Sequence, residues 1–297
     1  MSAAIETADK HEALDAIDIM ETLEKEREFS FDERDFNRVR SLIYARAGIS
    51  LSNSKQDMVY GRLARRLRVL GVRVFAEYLD LLDDPATPEW EQFTNALTTN
   101  LTSFFREKHH FDMLAEYLHE QHARDERFRI WSSAASTGEE PYSIAMTVAQ
   151  TLRRSSDDVR ILATDIDTNV LAKGSRGVYP LERVENLPQE LCRRYVQRGH
   201  GAHAGQVRMI ESLRKMIAFR RLNLLDEKWP MKHPFDVVFC RNVLIYFDKD
   251  TQRKLLRRMA QYIKPRGLLF IGHSESLNTD RDVFESLGRT AYRIIGK

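Results

Sequence analysis

The sequence predicts an α/β protein, a layered sheet with helices between its strands, preceded by a small all-helical domain. Three observations predict it. Beyond Arg127, short apolar runs alternate with helical stretches, and buried strands separated by helices imply a sheet joined by right-handed crossovers. Between Phe29 and about Leu101 apolar residues recur at helical spacing instead. The chain, at 297 residues, has length for one large domain and a smaller one.

The elements follow in order. Residues 1–28 hold nine acidic side chains against three basic ones and no aromatic, so they read as a solubilising tail, although Leu14, Ile17, Met20 and Leu23 recur at threes as in a short amphipathic helix. Residues 29–101 form the helical domain and a linker: Phe36, Val39, Leu42 and Ile43 make one stripe, and Met58, Leu63, Leu67 and Leu70 another. Asp83, Asp84 and Pro85 break the next segment, and Thr87-Pro88 restarts a helix with a cap-like residue followed by proline. In residues 102–297 strands are expected over 128–133, 159–164, 235–240, 267–272 and 291–295, with helices over 141–152 and 251–263. Residues 176–220 are polar and read as an insertion, with Arg198-Gly-His-Gly-Ala-His-Ala-Gly205 as a hairpin tip.

Composition narrows the function. A formal charge of +2 lacks the field of a general nucleic-acid binder. The two cysteines, Cys192 and Cys240, match no disulfide framework or zinc spacing, so a reducing, cytoplasmic compartment and no metal are expected. No stretch approaches the ~20 apolar residues of a membrane span, and no basic segment with an apolar run opens the chain.

The strongest local signal is Ile130-Trp-Ser-Ser-Ala-Ala-Ser-Thr-Gly-Glu-Glu-Pro-Tyr-Ser-Ile-Ala145, a strand running through small residues into a helix. Small residues let the backbone approach a ligand where the helix presents unpaired N–H groups. Glu139 and Glu140 stand at that helix start. Acids there are ordinary dipole partners, yet they also repel a phosphate and welcome an ammonium group. The run Ile161-Leu-Ala-Thr-Asp-Ile-Asp167 ends the second strand with acids. Asp165 stands where such sheets bind a ribose by its hydroxyls, and Asp167 suits a helix N-cap. A nucleoside without phosphate and with a positive amino-acid tail describes S-adenosylmethionine.

Five motifs then carry a resemblance: Asn100-Leu-Thr-Ser-Phe-Phe-Arg-Glu107, Ala134-Ala-Ser-Thr-Gly-Glu-Glu-Pro-Tyr-Ser143, Ala163-Thr-Asp-Ile-Asp-Thr168, Phe239-Cys-Arg-Asn-Val-Leu-Ile-Tyr-Phe-Asp248 and Gly272-His-Ser-Glu-Ser-Leu277. In these the chain resembles the CheR chemotaxis-receptor methyltransferases, from about Phe29 to its C-terminus. The resemblance implies a small all-α domain before a class I, Rossmann-like methyltransferase sheet with an inserted β-subdomain. It implies transfer of a methyl group from S-adenosylmethionine to receptor glutamates, leaving S-adenosylhomocysteine. It further implies that Asn100, Thr102 and Arg106 close over the cofactor. Glu140 would meet its methionine part, Asp165 its ribose, Asn223 and Leu224 its adenosine, and Arg241 and Asn242 would complete the wall. Spacing alone does not separate Glu139 from Glu140. Arg106 is expected to orient the incoming carboxylate, and Tyr246 to donate to that carboxylate or position the sulfur.

Within Lys55 to Arg73, Arg62, Arg65, Arg66 and Arg68 are read as a basic helix face. Such a face is commonly just solvated, and no aromatic residue interleaves the arginines as nucleic-acid stacking platforms do. The family likeness implies an acidic, helical receptor bundle as partner, with the β-subdomain holding a receptor's C-terminal peptide in some members. Two other readings are a nucleic-acid methyltransferase on the same fold and a non-catalytic cofactor-binding module that tethers receptors.

Overall fold

The computed structural model describes residues 27–121, 128–152, 159–277 and 282–295. All but the last two residues of the expected acidic tail lie outside them. The chain divides into two compact units: one runs up to Leu42 and resumes over Ser52–Leu97, the other comprises Ile43–Leu51 and Thr98–Lys297.

Helix α1 (Glu33–Ala47) up to Leu42, with α2 (Gln56–Leu70), α3 (Phe75–Asp80) and α4 (Glu89–Leu97), supplies the first unit. A reciprocal pair starts α1, with the Asp35 amide donating to Asp32 Oδ1 at 2.9 Å and the Asp32 amide to Asp35 Oδ2 at 3.3 Å, which satisfies two otherwise orphaned donors. Phe36 and Val39 of α1 and Val59, Leu63 and Leu67 of α2 are buried with Phe75, Tyr78, Leu79 and Phe93. Leu70, expected in the α2 stripe, is instead 41% exposed. The helix ends there, at Gly71 with φ of 69°, so the apolar stripe stops one turn earlier. Thr87 caps α4 through a weak bond from the Glu89 amide at 3.4 Å.

Two arginines of the basic α2 face are engaged within the helical unit. The Arg66 guanidinium grips Glu89 through Nε at 2.9 Å and Nη2 at 2.7 Å, and Tyr78 Oη donates to the same carboxylate at 3.0 Å. Glu89 is buried, and a buried carboxylate demands such partners. Arg62 is half-buried and donates to the Ala96 carbonyl. Arg65 is exposed, and Arg68 is exposed but paired with Glu28. Sequence spacing records which helix face an arginine occupies and not what crosses over it.

In the second unit, β1 (Phe128–Ser132), β2 (Val159–Asp165), β6 (Ile217–Arg221), β7 (Phe235–Cys240), β8 (Ile263–Ile271), β9 (Phe284–Gly288) and β10 (Ala291–Ile294) form one sheet in the order β6-β2-β1-β7-β8-β10-β9. The first five run parallel, and β10 is antiparallel to both its neighbours. Strand alternation divides the core between two faces. Ile130, Phe239 and Phe270 enter one cluster, and Trp131, Val238 and Leu269 the other, where Trp131 meets Trp229 edge to face at 5.1 Å. The expected helices appear as α6 (Glu139–Leu152) and α10 (Lys249–Gln261), with α5 (His109–Gln121) and α7 (Thr168–Arg176) beside them. Ile263, expected in the helix, opens β8 instead. Strands β6 and β9 were not expected: both lie at sheet edges and bury few side chains, β9 has no apolar run, and the run Met216-Ile-Ala-Phe219 that leads into β6 fell inside the segment read as a polar insertion.

The insertion builds a second, antiparallel sheet from β3 (Val178–Pro180), β4 (Val196–Arg198) and β5 (Gln206–Met209) in the order β3-β5-β4, with helices α8 (Gln189–Tyr195) and α9 (Glu211–Met216) flanking it. The hairpin joining β4 to β5 contains the glycine-rich run, with Gly201 and Gly205 at positive φ.

Replacing Arg66 should strip Glu89 of two charge-assisted bonds, so Arg66→Ala is expected to destabilise the helical unit by about 2–3 kcal/mol. Arg65→Ala should change stability by less than ~0.5 kcal/mol. Urea denaturation of both variants measures this; equal midpoints would show that Glu89 does not need Arg66.

Candidate functional site

The sheet order places β1 and β7 side by side while their successors β2 and β8 lie on opposite flanks. Such a reversal opens a crevice at the carboxyl ends of the strands. Glu140 at the start of α6, Asp165 at the end of β2 and Arg241 just after β7 stand beyond this edge.

The loop after β1 is fixed from both sides. The Ser133 amide donates to the Phe239 carbonyl at 2.9 Å and the Ala135 amide to the Thr164 carbonyl at 2.8 Å. Ser136 and Gly138 adopt φ of 48° and 98°. A Cβ at Gly138 would stand 2.9 Å from Gly174 Cα and from Tyr179 Oη, so glycine alone allows this approach. The turn directs the Ser136 amide onto Asp165 Oδ2 at 2.8 Å, and the Asp167 amide reaches Asp165 Oδ1 at 3.0 Å. Burial, opposed by these backbone donors, pushes the Asp165 carboxyl up to about 6.

The structure separates the two acids that spacing could not. Glu139 accepts from Thr137 Oγ1 at 2.6 Å and pairs with Arg183 of the insertion. Glu140 turns inward, where Ser132 Oγ donates to Oε1 at 2.8 Å and Arg241 Nη1 to Oε2 at 2.9 Å. Burial raises its carboxyl, against the pull of Arg241 and Ser132.

Arg241 continues past Glu140. Its Nη2 lies 3.3 Å from Glu107 Oε2 and also donates to the Arg106 carbonyl. Burial alone would raise Glu107, but Arg241, His273 and Asn242 overcome that and hold it at about 2. The guanidinium therefore joins two carboxylates. With Asp165 ionised, the three acids outnumber the one base.

Asp167 caps α7, accepting from the amides of Asn169 at 2.9 Å and Val170 at 3.3 Å. Its other oxygen accepts from Thr98 Oγ1 and Asn100 Nδ2, both at 2.8 Å, and the Asn100 carbonyl accepts from Ser136 Oγ at 3.1 Å. Arg183 donates to the Thr102 carbonyl at 2.9 Å. Arg106 is half-buried, with Nη1 on the Leu101 carbonyl at 3.0 Å. The Asn242 backbone is left-handed, at φ 57°. Glu275 supports it from below, accepting from the amides of Asn242 at 3.1 Å and Gly272 at 2.5 Å.

The remaining expected residues are held elsewhere on the unit. Leu224 is buried, and Asn223 spends its side chain on the Leu225 amide and the Arg46 carbonyl. Tyr246 ends a single helical turn over Leu244–Tyr246 and is partly exposed. Hydrogen bonds or ion pairs thus connect Asn100, Thr102, Arg106, Glu140, Asp165, Arg241 and Asn242 through Ser136, Asp167, Arg183, Glu139, Glu107 and neighbouring residues. They do not bring Asn223 or Tyr246 onto that network. Sequence reasoning missed Glu107, Asp167 as partner of Asn100, Arg183 and Glu275. Glu107 and Glu275 both stand inside quoted motifs, which was the available signal.

The donor set fits S-adenosylmethionine: a surplus of buried carboxylate suits an ammonium and a sulfonium and opposes phosphate. Among the described residues, Glu107, His109 and His110 offer ligand atoms within 4.8 Å of one another, but the Arg241 guanidinium at Glu107 opposes a cation there.

Comparison with known proteins gives the following. A family described as "CheR methyltransferase, SAM binding domain" matches residues 100–293, and one described as "CheR methyltransferase, all-alpha domain" matches residues 34–98. The chain is 49% identical to chemotaxis protein methyltransferase 2 of Pseudomonas aeruginosa over 90% of its own length and 95% of that protein's. It is 47% identical to the chemotaxis protein methyltransferase of Escherichia coli, over 92% and 94%, and 49% identical to that of Klebsiella aerogenes, over 86% and 88%.

Removing Arg241 strands the buried Glu140 and the half-buried Glu107, so Arg241→Met should cost about 3–5 kcal/mol of folding stability at pH 7. Without the cation, both carboxyls titrate above their present positions in the folded state, so the cost should shrink as pH falls and they take up protons. Denaturation at pH 7 and pH 5 measures it; a cost independent of pH would remove the stranded carboxylates as its cause.

Proposed function

The chain belongs to the CheR methyltransferase family, and from that premise we propose that it methylates glutamate side-chain carboxylates of chemoreceptors, giving glutamyl methyl esters for chemotaxis adaptation. The observation that carries the reading is the pair of buried carboxylates, Glu140 in the first turn of the helix that follows β1 and Asp165 at the carboxyl end of the adjacent β2. S-adenosylmethionine supplies a methyl group already activated on a sulfonium and leaves as S-adenosylhomocysteine. A substrate glutamate with an ordinary pKa near ~4.3 is ionised at neutral pH, so no general base is required. The protein's task is placement. No metal is needed for it.

In this reading Asp165 accepts from the ribose hydroxyls and Glu140 faces the ammonium group. Asn223 and Leu224 border the adenosine, and Asn100 and Thr102 close the linker over the cofactor. Arg241, engaged by Glu107 and Glu140, sets those acids in place, and Asn242 continues the same wall. Arg106 orients the incoming carboxylate through a planar fork that matches two oxygens, and Tyr246 donates to that carboxylate or positions the sulfur. The helical unit meets the acidic receptor bundle. Arg65 and Arg68 are its exposed arginines on α2, while Arg62 and Arg66 contribute from half-buried positions. The edge strand β4 offers unpaired backbone groups to a receptor's C-terminal peptide by strand addition. Chemoreceptor substrates place the reaction in the cytoplasm; no helix among the described residues is long and apolar enough to cross a membrane. The relatives' names give no support to a nucleic-acid substrate or a non-catalytic role.

Incubation with labelled S-adenosylmethionine and receptor should give alkali-labile methyl esters. Arg106→Ala and Tyr246→Phe should lower turnover at saturating cofactor while leaving the protein folded. Wild-type turnover in both would remove them from the reaction.

The ribose contact requires ionised Asp165, whose carboxyl stands at about 6 in the free protein. Cofactor affinity should therefore fall as pH drops from 7 to 5, and Asp165→Ala should weaken binding roughly ten- to a hundredfold at pH 7. Calorimetry at both pH values checks this; unchanged affinity in the variant would take Asp165 out of the site.

A further inference from the structure

Asn223 and Tyr246 lie outside the hydrogen-bonded network around Arg241, yet one short segment binds both of their loops. Residues 43–51 fall within the stretch matched by the all-alpha family, but their contacts assign them to the methyltransferase unit. Tyr44 Oη donates to Asp248 Oδ2 at 2.7 Å. The Ser50 amide donates to the Tyr246 carbonyl at 3.0 Å, and Asn223 Nδ2 donates to the Arg46 carbonyl at 2.9 Å. Between these bonds Gly48 sits at φ 67°, where a Cβ would lie 2.3 Å from Leu225 Cδ1 and 3.2 Å from the Phe247 ring. Leu225 donates its amide to Asn223 Oδ1, and Phe247 follows Tyr246 directly in sequence. The segment therefore touches the Asn223 turn and the Tyr246 turn at every step.

We propose that residues 43–51 form a strap that positions Asn223 and Tyr246 for methyl transfer, with Tyr44, Gly48 and Ser50 as positioning residues. The proposal rests on the reading above that Asn223 borders the adenosine and Tyr246 the reacting groups. It adds that neither loop holds its working geometry unaided. The turn Leu244–Tyr246 is anchored at its start by buried Leu244, by Gln252 on the Leu244 carbonyl and by Glu275 on the Ile245 amide, while Ile245 is exposed and Tyr246 partly exposed. A displacement of about 1 Å at a positioning group can cost a hundredfold in rate. Tyr44 acts at the far side of the Tyr246 turn, through Asp248. That carboxylate keeps its bonds to Thr251, at 2.9 Å from both the amide and Oγ1, when Tyr44 is changed. Gly48 acts on both turns together, because any side chain there meets Leu225 and Phe247 and the backbone disfavours a branched residue.

The test compares Tyr44→Phe and Gly48→Val with Tyr246→Phe and Asn223→Ala, reading turnover at saturating cofactor, affinity for S-adenosylhomocysteine and the thermal midpoint. Tyr44→Phe should lower turnover about threefold to tenfold, the worth of one hydrogen bond, with affinity and midpoint unchanged. Gly48→Val should lower turnover and weaken product binding about tenfold or more. If it fails to fold, Tyr44→Phe decides alone. Wild-type turnover and affinity in both strap variants, with Tyr246→Phe and Asn223→Ala impaired, would overturn the strap and leave the site reading standing. Activity lost only in proportion to folded protein would overturn it as well. Should Tyr246→Phe and Asn223→Ala themselves behave as wild type, the site reading fails and the strap with it.

Discussion

The site is organised by one buried guanidinium. Arg241 follows the central strand β7 and joins Glu140, at the start of α6, to Glu107, in the linker before α5. Three segments far apart in sequence are thereby held to one point. Glu140 does not tolerate its burial without a partner, and the buried base tolerates its own only because it has two. Ser132 donates to the other oxygen of Glu140, and His273 and Asn242 both meet Glu107 at Oε1. The linker, the first strand and its helix, and the fourth parallel strand from the β6 edge all close on this cluster.

The acids also sort the surrounding chain. Glu139 and Glu140 are consecutive, so a helix must send them in different directions. One reaches Arg183 in the inserted subdomain and the other the sheet interior. The insertion is in this way keyed to the same helix N-terminus that carries the site. Arg183 reinforces the connection by reaching the Thr102 carbonyl. On the opposite side Asp167 ties Asn100 to the cap of α7. The linker motif is thus fastened at Asn100 and Thr102 and, through its Arg106 carbonyl, to Arg241.

What the sequence revealed follows from how locally each feature is determined. The central strands were legible because burial on both faces demands continuous apolar runs, whereas edge strands β6 and β9 bury few side chains, and the short run leading into β6 was absorbed into a segment read as an insertion. Asp165 stood out because a strand ending in acids has a position as well as a charge. Glu107 and Glu275 did not, since each is one acid within a motif and its importance comes from partners more than a hundred or about thirty residues away. Arg66 shows the same limit from the other side. Helical spacing put it beside Arg62 and Arg65, and nothing local announced the buried Glu89 that claims it. The strap of residues 43–51 was invisible for a further reason: its work is done largely by backbone atoms and one glycine.

The distribution of tryptophan has an optical consequence. The chain has three: Trp90 in the helical unit, close to Phe93 and donating to the Asp84 carbonyl, and the pair Trp131 and Trp229 in the core of the other. Trp131 also donates through Nε1 to Thr164 Oγ1, one residue before Asp165. Emission from a Trp90→Phe protein therefore comes only from the sheet and its ligand-binding edge, whereas emission from Trp90 reports the helices alone. The ring coupling of Trp131 with Trp229 persists in the Trp90→Phe protein, so the larger unit can be followed there by its own near-ultraviolet dichroism without attaching a dye.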